Sequence, residues 1–336
     1  QDMFGAIRAF PDHFRDGWVR AADFQPEIRL QDADQVVIVG MGGSAIGGDL
    51  VRTYCRDTAP VPISVVRDYT LPASVGERSI VVASSYSGGT EETLSSFEEA
   101  LRRDATVYAV TSGGTLQARV EAEGLKAVSI PGGMQPRAAL GYSFSVLLRM
   151  ADKLGLCSVS DAEYEEASQI LDGNAAVYAD PSGNAARDLA EDLWGQLPVV
   201  YRGPGLLEAV GMRWQTQLHE NAKQLAYGNV FAELNHNEIM AWEATPEEIR
   251  ERVAVVVLRD RGDHAQVQRR MEVTRGLVED RIGGWTEVQS QGERPLARML
   301  STIQLGDFVS FYLGMLAGVD PTPVDTIQEL KKTLAG

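Results

Sequence analysis

Short apolar runs rich in β-branched residues recur along this 336-residue chain, separated by stretches long enough for a helix. The first half contains five of them: Val36–Val39, Ile63–Val66, Ile80–Ala83, Thr106–Val110 and Ala127–Ile130. Between the third and fourth runs, Glu91 to Arg102 has the periodicity of an amphipathic helix. Strands that alternate with helices pair in parallel, and helices must then cover both faces of the sheet. The pattern therefore predicts an α/β fold of three layers, with a mainly parallel sheet between two layers of helices.

The same pattern begins again in the second half of the chain. The further runs are Val199–Tyr201, Val253–Leu258 and Trp285–Val288. A shift of 163 positions places Val36–Gly42 on Val199–Gly205, so each half opens with a strand, a glycine turn and a helix. Such units resemble one another in any α/β protein, so duplication and a shared building plan both explain the match. The shift also places Leu207 where the first copy has Ser44, so only the first copy has a hydroxyl at this turn.

Two domains follow from the two series of strands. We expect the first domain at residues 31–151 and the second at residues 152–320. An N-terminal helical arm (residues 1–30) precedes them, and a C-terminal helix (residues 321–336) follows. Both domain lengths are ordinary for a single core. The polar, helix-prone stretch Ala151 to Gln196 is expected to cover the second sheet.

Charge and cysteine content restrict the classes of function. With 31 Lys+Arg and 47 Asp+Glu the net charge is −16, which argues against a binder of nucleic acids or anionic membranes. Cys55 and Cys157 cannot form a disulfide framework, and neither lies in a metal-binding motif. Gln1 to Phe14 lacks the apolar region of a signal peptide, and the chain has no long uninterrupted apolar segment. We therefore expect a cytoplasmic protein without a metal, in which any phosphate ligand is bound by local groups.

The first glycine turn is compatible with two functions. Gly40–Ala45 follows a strand and satisfies G-x-G-x-x-A, the dinucleotide-binding fingerprint. A nicotinamide-dependent oxidoreductase also needs an acidic residue at the end of the second strand to bind a ribose hydroxyl. The candidate there is Asp68, which follows Arg67.

The turn after the third run is crowded with hydroxyls and glycines. Ser84 to Thr93 leads directly into the predicted helix, and backbone N–H groups at a helix N-terminus together with hydroxyls bind a compact phosphate without lysines. Ordinary helix capping by Ser87 or Thr90, with the glutamates at the following positions forming a capping box, is the alternative. Both interpretations can hold, because a cap uses one hydroxyl and this turn supplies several.

The two turns look like the paired phosphate turns of sugar isomerase (SIS) domains. Further segments narrow the match, and the residues that carry it are Gly40–Ala45, Ser85–Thr93, Pro136–Ser143, Glu220–Lys223, Leu234–Glu238 and Ile327–Lys331. With these segments the chain resembles the bifunctional phosphoglucose/phosphomannose isomerases over nearly its whole length. One departure is Gly89, where that family more often has Asn. The resemblance implies two SIS domains, and a phosphate bound at Gly43, Ser44, Ser85, Ser87 and Thr90.

The resemblance also implies a catalytic base. Glu220 matches the carboxylate that carries a proton between C2 and C1 of the sugar, a role that suits a partly buried glutamate. Without the resemblance, Glu220 is more simply a surface carboxylate on a helix from Leu206 to Leu225 that pairs with Lys223.

Three further residues have implied roles in catalysis. His236 resembles the acid/base that opens the pyranose ring, although it could also be a structural cap for a helix starting near Asn237. Lys331 resembles a lysine that assists ring opening, although it could be a solvated lysine like Lys332. Arg137 resembles the positive charge that stabilises the enediolate, although it could serve only to satisfy carbonyls of its Pro/Gly-rich loop.

The implied activity is the cofactor-free interconversion of glucose 6-phosphate, and of mannose 6-phosphate, with fructose 6-phosphate, through a cis-enediolate. The family implies a homodimer in which His236 comes from the other subunit, and a place in glycolysis and gluconeogenesis. A non-catalytic SIS protein that senses a sugar phosphate is the alternative from another class. A nicotinamide-dependent oxidoreductase is a third possibility that rests on the glycine fingerprint alone.

Overall fold

A computed structural model describes residues 2–180 and 182–334. That part of the chain forms nine strands and fourteen α-helices. The strands are β1 (Gln35–Val39), β2 (Ile63–Val66), β3 (Ser79–Ser85), β4 (Thr106–Thr111), β5 (Lys126–Ser129), β6 (Leu197–Arg202), β7 (Tyr227–Val230), β8 (Val253–Arg259) and β9 (Gly284–Gln289). The helices are α1 (Met3–Arg8), α2 (Phe10–Arg20), α3 (Gly42–Tyr54), α4 (Glu91–Arg102), α5 (Gly114–Ala122), α6 (Leu140–Leu154), α7 (Asp161–Tyr178), α8 (Ala185–Leu193), α9 (Glu208–Asn221), α10 (Ala241–Ala244), α11 (Glu247–Arg250), α12 (Ala265–Val278), α13 (Pro295–Leu316) and α14 (Asp325–Leu334).

The chain divides into two compact units. The N-terminal unit contains Arg8–Asp172 and Gly292–Arg298, and the C-terminal unit contains Gln1–Ile7, Gly173–Gln291 and Met299–Gly336. Each unit has its own sheet, and every pair of neighbouring strands is parallel. The prediction of an α/β fold with two mainly parallel sheets flanked by helices is confirmed.

The sheet of the N-terminal unit has the order β2-β1-β3-β4-β5. Its central strands are buried, as their unbroken apolar runs predict, and Val37 and Val81 are fully shielded from solvent. Phe97 of α4 and Leu116 of α5 pack in the same core. This core holds the carboxyl ends of β1 and β3 side by side, at the point where the strand order reverses. Ligands of open α/β sheets bind at this position.

The sheet of the C-terminal unit has the order β7-β6-β8-β9, which repeats the order of the first four strands of the other sheet. Tyr201, Val255 and Val257 form its core together with Phe231 and Met271. Here the strand order reverses between β6 and β8. The shared order agrees with the repeat seen in the sequence.

The stretch Ala151 to Gln196 differs from expectation in its first part, since residues 151–172 belong to the N-terminal unit and only the later residues belong to the C-terminal unit. Near its beginning, Tyr164 of α7 stacks on Phe14 and Trp18 of α2, with ring centroids 5.5 and 5.1 Å apart. This part therefore packs within the N-terminal unit instead of covering the second sheet. Aromatic contacts from α2, far away in the sequence, decide its placement.

Among the described helices, α13 is the one long and apolar enough to cross a membrane by length and composition. It has 22 residues, and an 18-residue window within it has a mean hydropathy of 1.2 and is 72% buried inside the protein. The indole N–H of Trp214 donates to the carbonyl of Thr302, at 2.9 Å, and Gly306 leaves room for the Trp214 ring. The burial and contacts of α13 are those of a core helix.

Candidate active site

The first glycine turn joins β1 to α3 in the N-terminal unit. Gly42 has a φ of 51°, a left-handed conformation that favours glycine. A Cβ at Gly40 would lie 2.8 Å from the carbonyl oxygen of Ser84, and one at Gly43 would lie 2.9 Å from that of Pro136. Because both positions are glycine, the end of β3 and the loop before α6 can approach the turn closely.

The second turn joins β3 to α4 and is hydrogen-bonded to the first. The hydroxyl of Ser44 accepts a hydrogen bond from the backbone N–H of Tyr86, at 3.0 Å. Within the turn, the Ser85 hydroxyl donates to Thr90 Oγ1 at 3.1 Å, and the Gly89 N–H donates to Ser87 Oγ at 3.3 Å. Ser44 and Ser85 are buried, whereas Ser87 is exposed and Thr90 is half-buried. The four hydroxyls thus lie in two adjoining turns, which the bond from Tyr86 to Ser44 joins, and Ser87 is the exposed one among them.

The capping alternative for this turn is not what the structure shows. Thr90 is the N-cap residue of α4, yet its side chain makes no capping hydrogen bond to the described residues of the helix. Met41, the N-cap residue of α3, likewise provides no side-chain cap within the described part of the chain. The first-turn N–H groups of two helices are therefore not occupied by these cap side chains, at the position where an anion is favoured.

Arg137 lies beside the first turn. It belongs to a 3₁₀ helix, Pro136–Ala139, whose backbone packs against Gly43, and its side chain is buried with 2% exposure. The Tyr86 hydroxyl accepts a hydrogen bond from the backbone N–H of Met134, at 3.0 Å, and so fixes the loop that leads to Arg137. The N-terminal unit thus brings the predicted phosphate-binding residues and Arg137 to one end of its sheet.

Asp68 does not fit the dinucleotide alternative well. It is exposed, and its carboxylate accepts a hydrogen bond from the backbone N–H of Tyr69 at 2.6 Å. Arg67, which directly follows β2, forms an ion pair with the buried Asp49 of α3. A cation therefore stands at the strand end where a ribose-binding fingerprint needs an acid.

Glu220 lies in the last turn of α9 in the C-terminal unit and is half-buried. The helix ends at Asn221, four residues before the predicted end, because Lys223 adopts a left-handed backbone with φ 54°. The side chain of Asn221 is fully buried and donates to the Ser310 hydroxyl of α13 at 2.9 Å. This bond attaches the end of the helix that carries Glu220 to the core helix α13.

A second buried group attaches the middle of α9 to α13. Arg213 donates to Asp307 at 2.7 Å, and Gln217 donates to the same carboxylate at 3.0 Å. All three side chains are almost completely buried. Burial raises the pKa of Asp307, while hydrogen bonds from Arg213 and Gln217 oppose that shift. Together with Asn221 and Ser310, this group fixes the rotation of α9 about its axis.

His236 ends a 3₁₀ helix, Glu233–His236, and is exposed. The helix that follows is capped by Asn237, whose side chain accepts the N–H of Glu238 at 2.5 Å, so His236 is not the cap. The nearby His219 of α9 instead hydrogen bonds with the Ala226 carbonyl, with Nε2 at 2.9 Å. Both histidines are exposed, and His219 differs in that its Nε2 is used in this hydrogen bond.

Lys331 lies on α14 and is exposed, like every other residue of that helix. The segment before α14 is joined to the end of α9 by Lys223, whose Nζ donates to the carbonyl of Glu220 and to that of Pro323, each at 2.6 Å. Both Glu220 and Lys331 thus belong to elements that Lys223 connects.

Asp263 is a feature that sequence reasoning missed. It follows β8, at the place that corresponds to the hydroxyl-rich turn of the N-terminal unit. Its buried carboxylate lies against the turn after β6: a Cβ on Gly203 would lie 2.3 Å from one of its oxygens, and one on Gly205 would lie 3.5 Å away. The glycine turn after β6 is therefore covered by an anion of the protein itself.

Within residues 2–180 and 182–334, no group of three or more His, Cys, Asp or Glu residues is suited to hold a metal ion.

Comparison with known proteins matches residues 29–123 to the SIS domain and residues 182–334 to the bacterial phospho-glucose isomerase C-terminal SIS domain. A bifunctional phosphoglucose/phosphomannose isomerase from Caldicellulosiruptor bescii is 42% identical over 336 residues, which cover 99% of each chain. The chain belongs to the bifunctional phosphoglucose/phosphomannose isomerase family. The family resemblance inferred from the motifs is thereby confirmed.

A second member of the bifunctional phosphoglucose/phosphomannose isomerase family, from Aquifex aeolicus, is 36% identical over 300 residues, covering 89% of this chain and 90% of that protein. Among solved structures, the C-terminal domain of glucosamine-fructose-6-phosphate aminotransferase from Francisella tularensis superimposes with a TM-score of 0.71. It is 16% identical and covers 95% of this chain and 96% of its own, so the likeness concerns the fold alone. Both glycine turns fall in the first matched region, and Glu220, His236 and Lys331 fall in the second.

Proposed function

We propose that this protein is an aldose–ketose isomerase that interconverts glucose 6-phosphate and mannose 6-phosphate with fructose 6-phosphate. The observation that carries the proposal is the group of hydroxyls in the two hydrogen-bonded turns at the N-termini of α3 and α4, where neither N-cap residue caps its helix by a side chain within the described residues. Such a group suits a compact phosphate in a protein of net charge −16, because it supplies hydrogen-bond donors without lysines. Relationship to enzymes named for both activities supports the choice of substrates.

The phosphate is bound in this proposal by the backbone of Gly43 and by four hydroxyl side chains. The four are Ser44, Ser85, Ser87 and Thr90. A phosphate held in ground and transition states alike contributes mainly to KM, since it does not change during the reaction. Because the protein holds the substrate by its phosphate, the sugar carbons stay free for proton transfer.

Proton transfer begins once the pyranose ring is open. We assign ring opening to His236 and Lys331, which exchange protons with the ring oxygen and the C1 hydroxyl. Glu220 then removes the proton from C2 of the aldose, and electrons move to the C1 oxygen to form the cis-enediolate. The hydroxyl proton on the C2 oxygen moves to the C1 oxygen, and the same carboxyl group returns the carbon-bound proton to C1, which gives the ketose with its carbonyl at C2. Arg137 supplies a fixed positive charge for the enediolate oxygens.

Both aldoses reach the same enediolate if the open-chain sugar rotates about the C2–C3 bond, so one base serves glucose and mannose 6-phosphate. We also propose that the protein is a cytoplasmic homodimer acting in glycolysis and gluconeogenesis, and that His236 serves the partner subunit. Its exposure on a short helix suits a residue that is donated in this way.

A coupled assay on glucose 6-phosphate and mannose 6-phosphate, with a chelator and without added nucleotide, tests the proposal. We expect fructose 6-phosphate from both substrates. No product from either would overturn the assignment, whereas product from one would restrict it to a single aldose.

Glu220→Gln tests the base directly. Removing general-base catalysis lowers kcat by about 10² to 10⁴-fold, because the amide cannot accept the proton. Binding of fructose 6-phosphate should persist, since the phosphate turn is intact. Glu208→Gln, a change at another half-buried glutamate of α9, is the matched control and should retain turnover. A Glu220→Gln enzyme with most of its activity would remove Glu220 from this role, and loss of binding would indicate a structural one.

A further inference from the structure

Lys223 is a lysine in a backbone conformation that favours glycine. It is the second residue after α9, and its φ of 54° lies in the left-handed region. Glycine is the common choice at this point of a helix end, and another residue in that conformation costs on the order of 1 kcal/mol. Because a lysine in this conformation costs free energy that a glycine would not, its side chain is expected to have a structural or functional role.

The use is visible in the hydrogen bonds of its ammonium group. Nζ donates to the carbonyl of Glu220 at 2.6 Å, which is an ordinary way to satisfy a helix C-terminus. It also donates, at 2.6 Å, to the carbonyl of Pro323, which lies 100 residues further along the chain. The second bond has no role in ending α9, because its acceptor belongs to the segment that leads into α14.

Other contacts already fix the end of α9, so the bond to Pro323 is not needed for that purpose. Asn221 donates to Ser310 of α13, and Gly314 of α13 packs closely on the Asn221 carbonyl. By contrast, α14 begins only two residues after Pro323, and all its residues are exposed. A helix of ten residues with no buried face gains little stability from packing, so its direction depends on how its start is held.

We propose that Lys223 is a positioning residue, which holds the start of α14, and through it Lys331, at the end of α9 that carries Glu220. The inference rests on the proposed function, because it takes Lys331 and Glu220 to serve the same reaction. Lys331 lies six positions after Asp325, which is about 9 Å along the helix axis. If the axis of α14 changes direction at its start, the Lys331 ammonium therefore moves by several ångströms. Displacements of about 1 Å are enough to lower turnover by about 100-fold.

Three substitutions of Lys223 separate the effect of its side-chain hydrogen bonds from the effect of its left-handed backbone. Lys223→Met keeps the aliphatic stem and removes the donors, whereas Lys223→Arg keeps donors for both carbonyls. Lys223→Gly removes the side chain and relieves the left-handed backbone, so the protein should not lose stability by that change alone. Lys332→Met, at an exposed lysine of α14, is the matched control.

Two measurements decide the question. Hydrogen exchange of the amides of α14 needs no substrate, and we expect it to be at least about 5-fold faster in Lys223→Met and Lys223→Gly than in the unmodified protein, Lys223→Arg and Lys332→Met. In turnover, we expect kcat to fall by about 10-fold or more in the Met and Gly variants, with KM changed by less than about 3-fold and with rescue by Arg.

Unchanged exchange of α14 in Lys223→Met would overturn the inference, as would a Lys223→Gly enzyme with unchanged kcat. A merely structural role predicts instead that kcat follows stability, so that Lys223→Gly is as active as the unmodified protein. If the unmodified protein lacks isomerase activity, the proposed function fails, and the exchange experiment alone still decides whether Lys223 holds α14.

Discussion

At the scale of single residues, the glycines of the second turn are not equivalent. A Cβ at Gly88 would lie 1.8 Å from the carbonyl oxygen of Gly113, and its φ of 66° disfavours other residues. A Cβ at Gly89 would meet no described atom within 4 Å. The departure from the family's Asn at Gly89 therefore leaves an open space and does not reflect a steric requirement.

Gly89→Asn should accordingly be tolerated. We expect a free energy of unfolding within about 0.5 kcal/mol of the unmodified protein, and a KM for fructose 6-phosphate lowered by about 3-fold through an added hydrogen bond to the phosphate. Steady-state kinetics and denaturant unfolding measure the two effects. Gly88→Asn is the matched control and should destabilise the protein by 2 kcal/mol or more, on the order of the cost of a severe backbone clash. An unchanged or raised KM in Gly89→Asn would mean that this position does not face the phosphate.

His13 of α2 gives the stability of the protein a pH dependence. Its side chain is buried against Tyr142, with ring centroids 4.6 Å apart. Burial lowers the pKa of His13 from 6.5, and the negative charges of Asp12 and Asp16 oppose this shift only in part. Because protonation is harder in the folded than in the unfolded state, His13 lowers the free energy of unfolding as the pH falls below 6.5.

Replacing His13 by Gln should remove this contribution. We expect the free energy of unfolding of His13→Gln to decline less steeply than that of the unmodified protein between about pH 7.5 and pH 5.5, where carboxylates titrate little. Denaturant unfolding at a series of pH values measures the slopes. His236→Gln, at an exposed histidine, is the matched control for the change of side chain. Equal slopes for His13→Gln and the unmodified protein would contradict the prediction.

At the scale of elements, α9 and α13 depend on a buried ion pair. Arg213 and Asp307 are 2% and 4% exposed by side chain, so removal of one partner leaves a charge without its counter-ion in a site that water does not reach. Asp307→Ala should therefore destabilise the protein by about 3–5 kcal/mol. Glu191→Ala breaks the exposed pair of Arg187 and Glu191 and should cost less than about 1 kcal/mol.

Denaturant unfolding of the two variants compares these costs. Near-equal destabilisation would show that the Arg213 and Asp307 pair is not what attaches α9 to α13. If the free energy of unfolding falls in Asp307→Ala and not in Glu191→Ala, this supports the role of the Arg213 and Asp307 pair in orienting the helix that carries Glu220.

Eight of the nine strands lie at runs that the sequence identifies. The signal is clearest for central strands such as β3 and β8, because a parallel strand buried on both faces consists mostly of apolar residues. The exception is β7, Tyr227–Val230, which contains Gly228 and Asn229 and pairs with β6 alone at the edge of its sheet. An edge strand needs no apolar run. The 163-residue shift places β2 on residues 226–229, so the internal repeat could have predicted β7 where the apolar pattern could not.

The site was predictable where it depends on local motifs and unpredictable where it depends on distant contacts. Both turns follow strands as their motifs predict, since a glycine turn between a strand and a helix is a local property. The bond from Lys223 to Pro323 joins residues 100 positions apart, and no pattern in the sequence relates them. The same is true of the pairing of Arg213 with Asp307.

At the scale of the whole molecule, the two units share a strand order but differ in the chemistry of their first turns. The N-terminal unit presents Ser44 and the hydroxyls of the second turn, whereas the C-terminal unit has Leu207 and the carboxylate of Asp263. A phosphate approaching the turn after β6 would be repelled by that carboxylate and would find no hydroxyl at Leu207.

The carboxylate of Asp263 therefore limits phosphate binding to one of the two equivalent glycine turns in each chain. Calorimetric titration of the Glu220→Gln variant with fructose 6-phosphate should give one ligand per chain, although each chain contains two glycine turns at equivalent places. Ser87→Ala should weaken that single binding event, and a second event that it leaves untouched would contradict the prediction. One half of the repeated architecture is then available to substrate, while the other half already holds an anion supplied by its own chain.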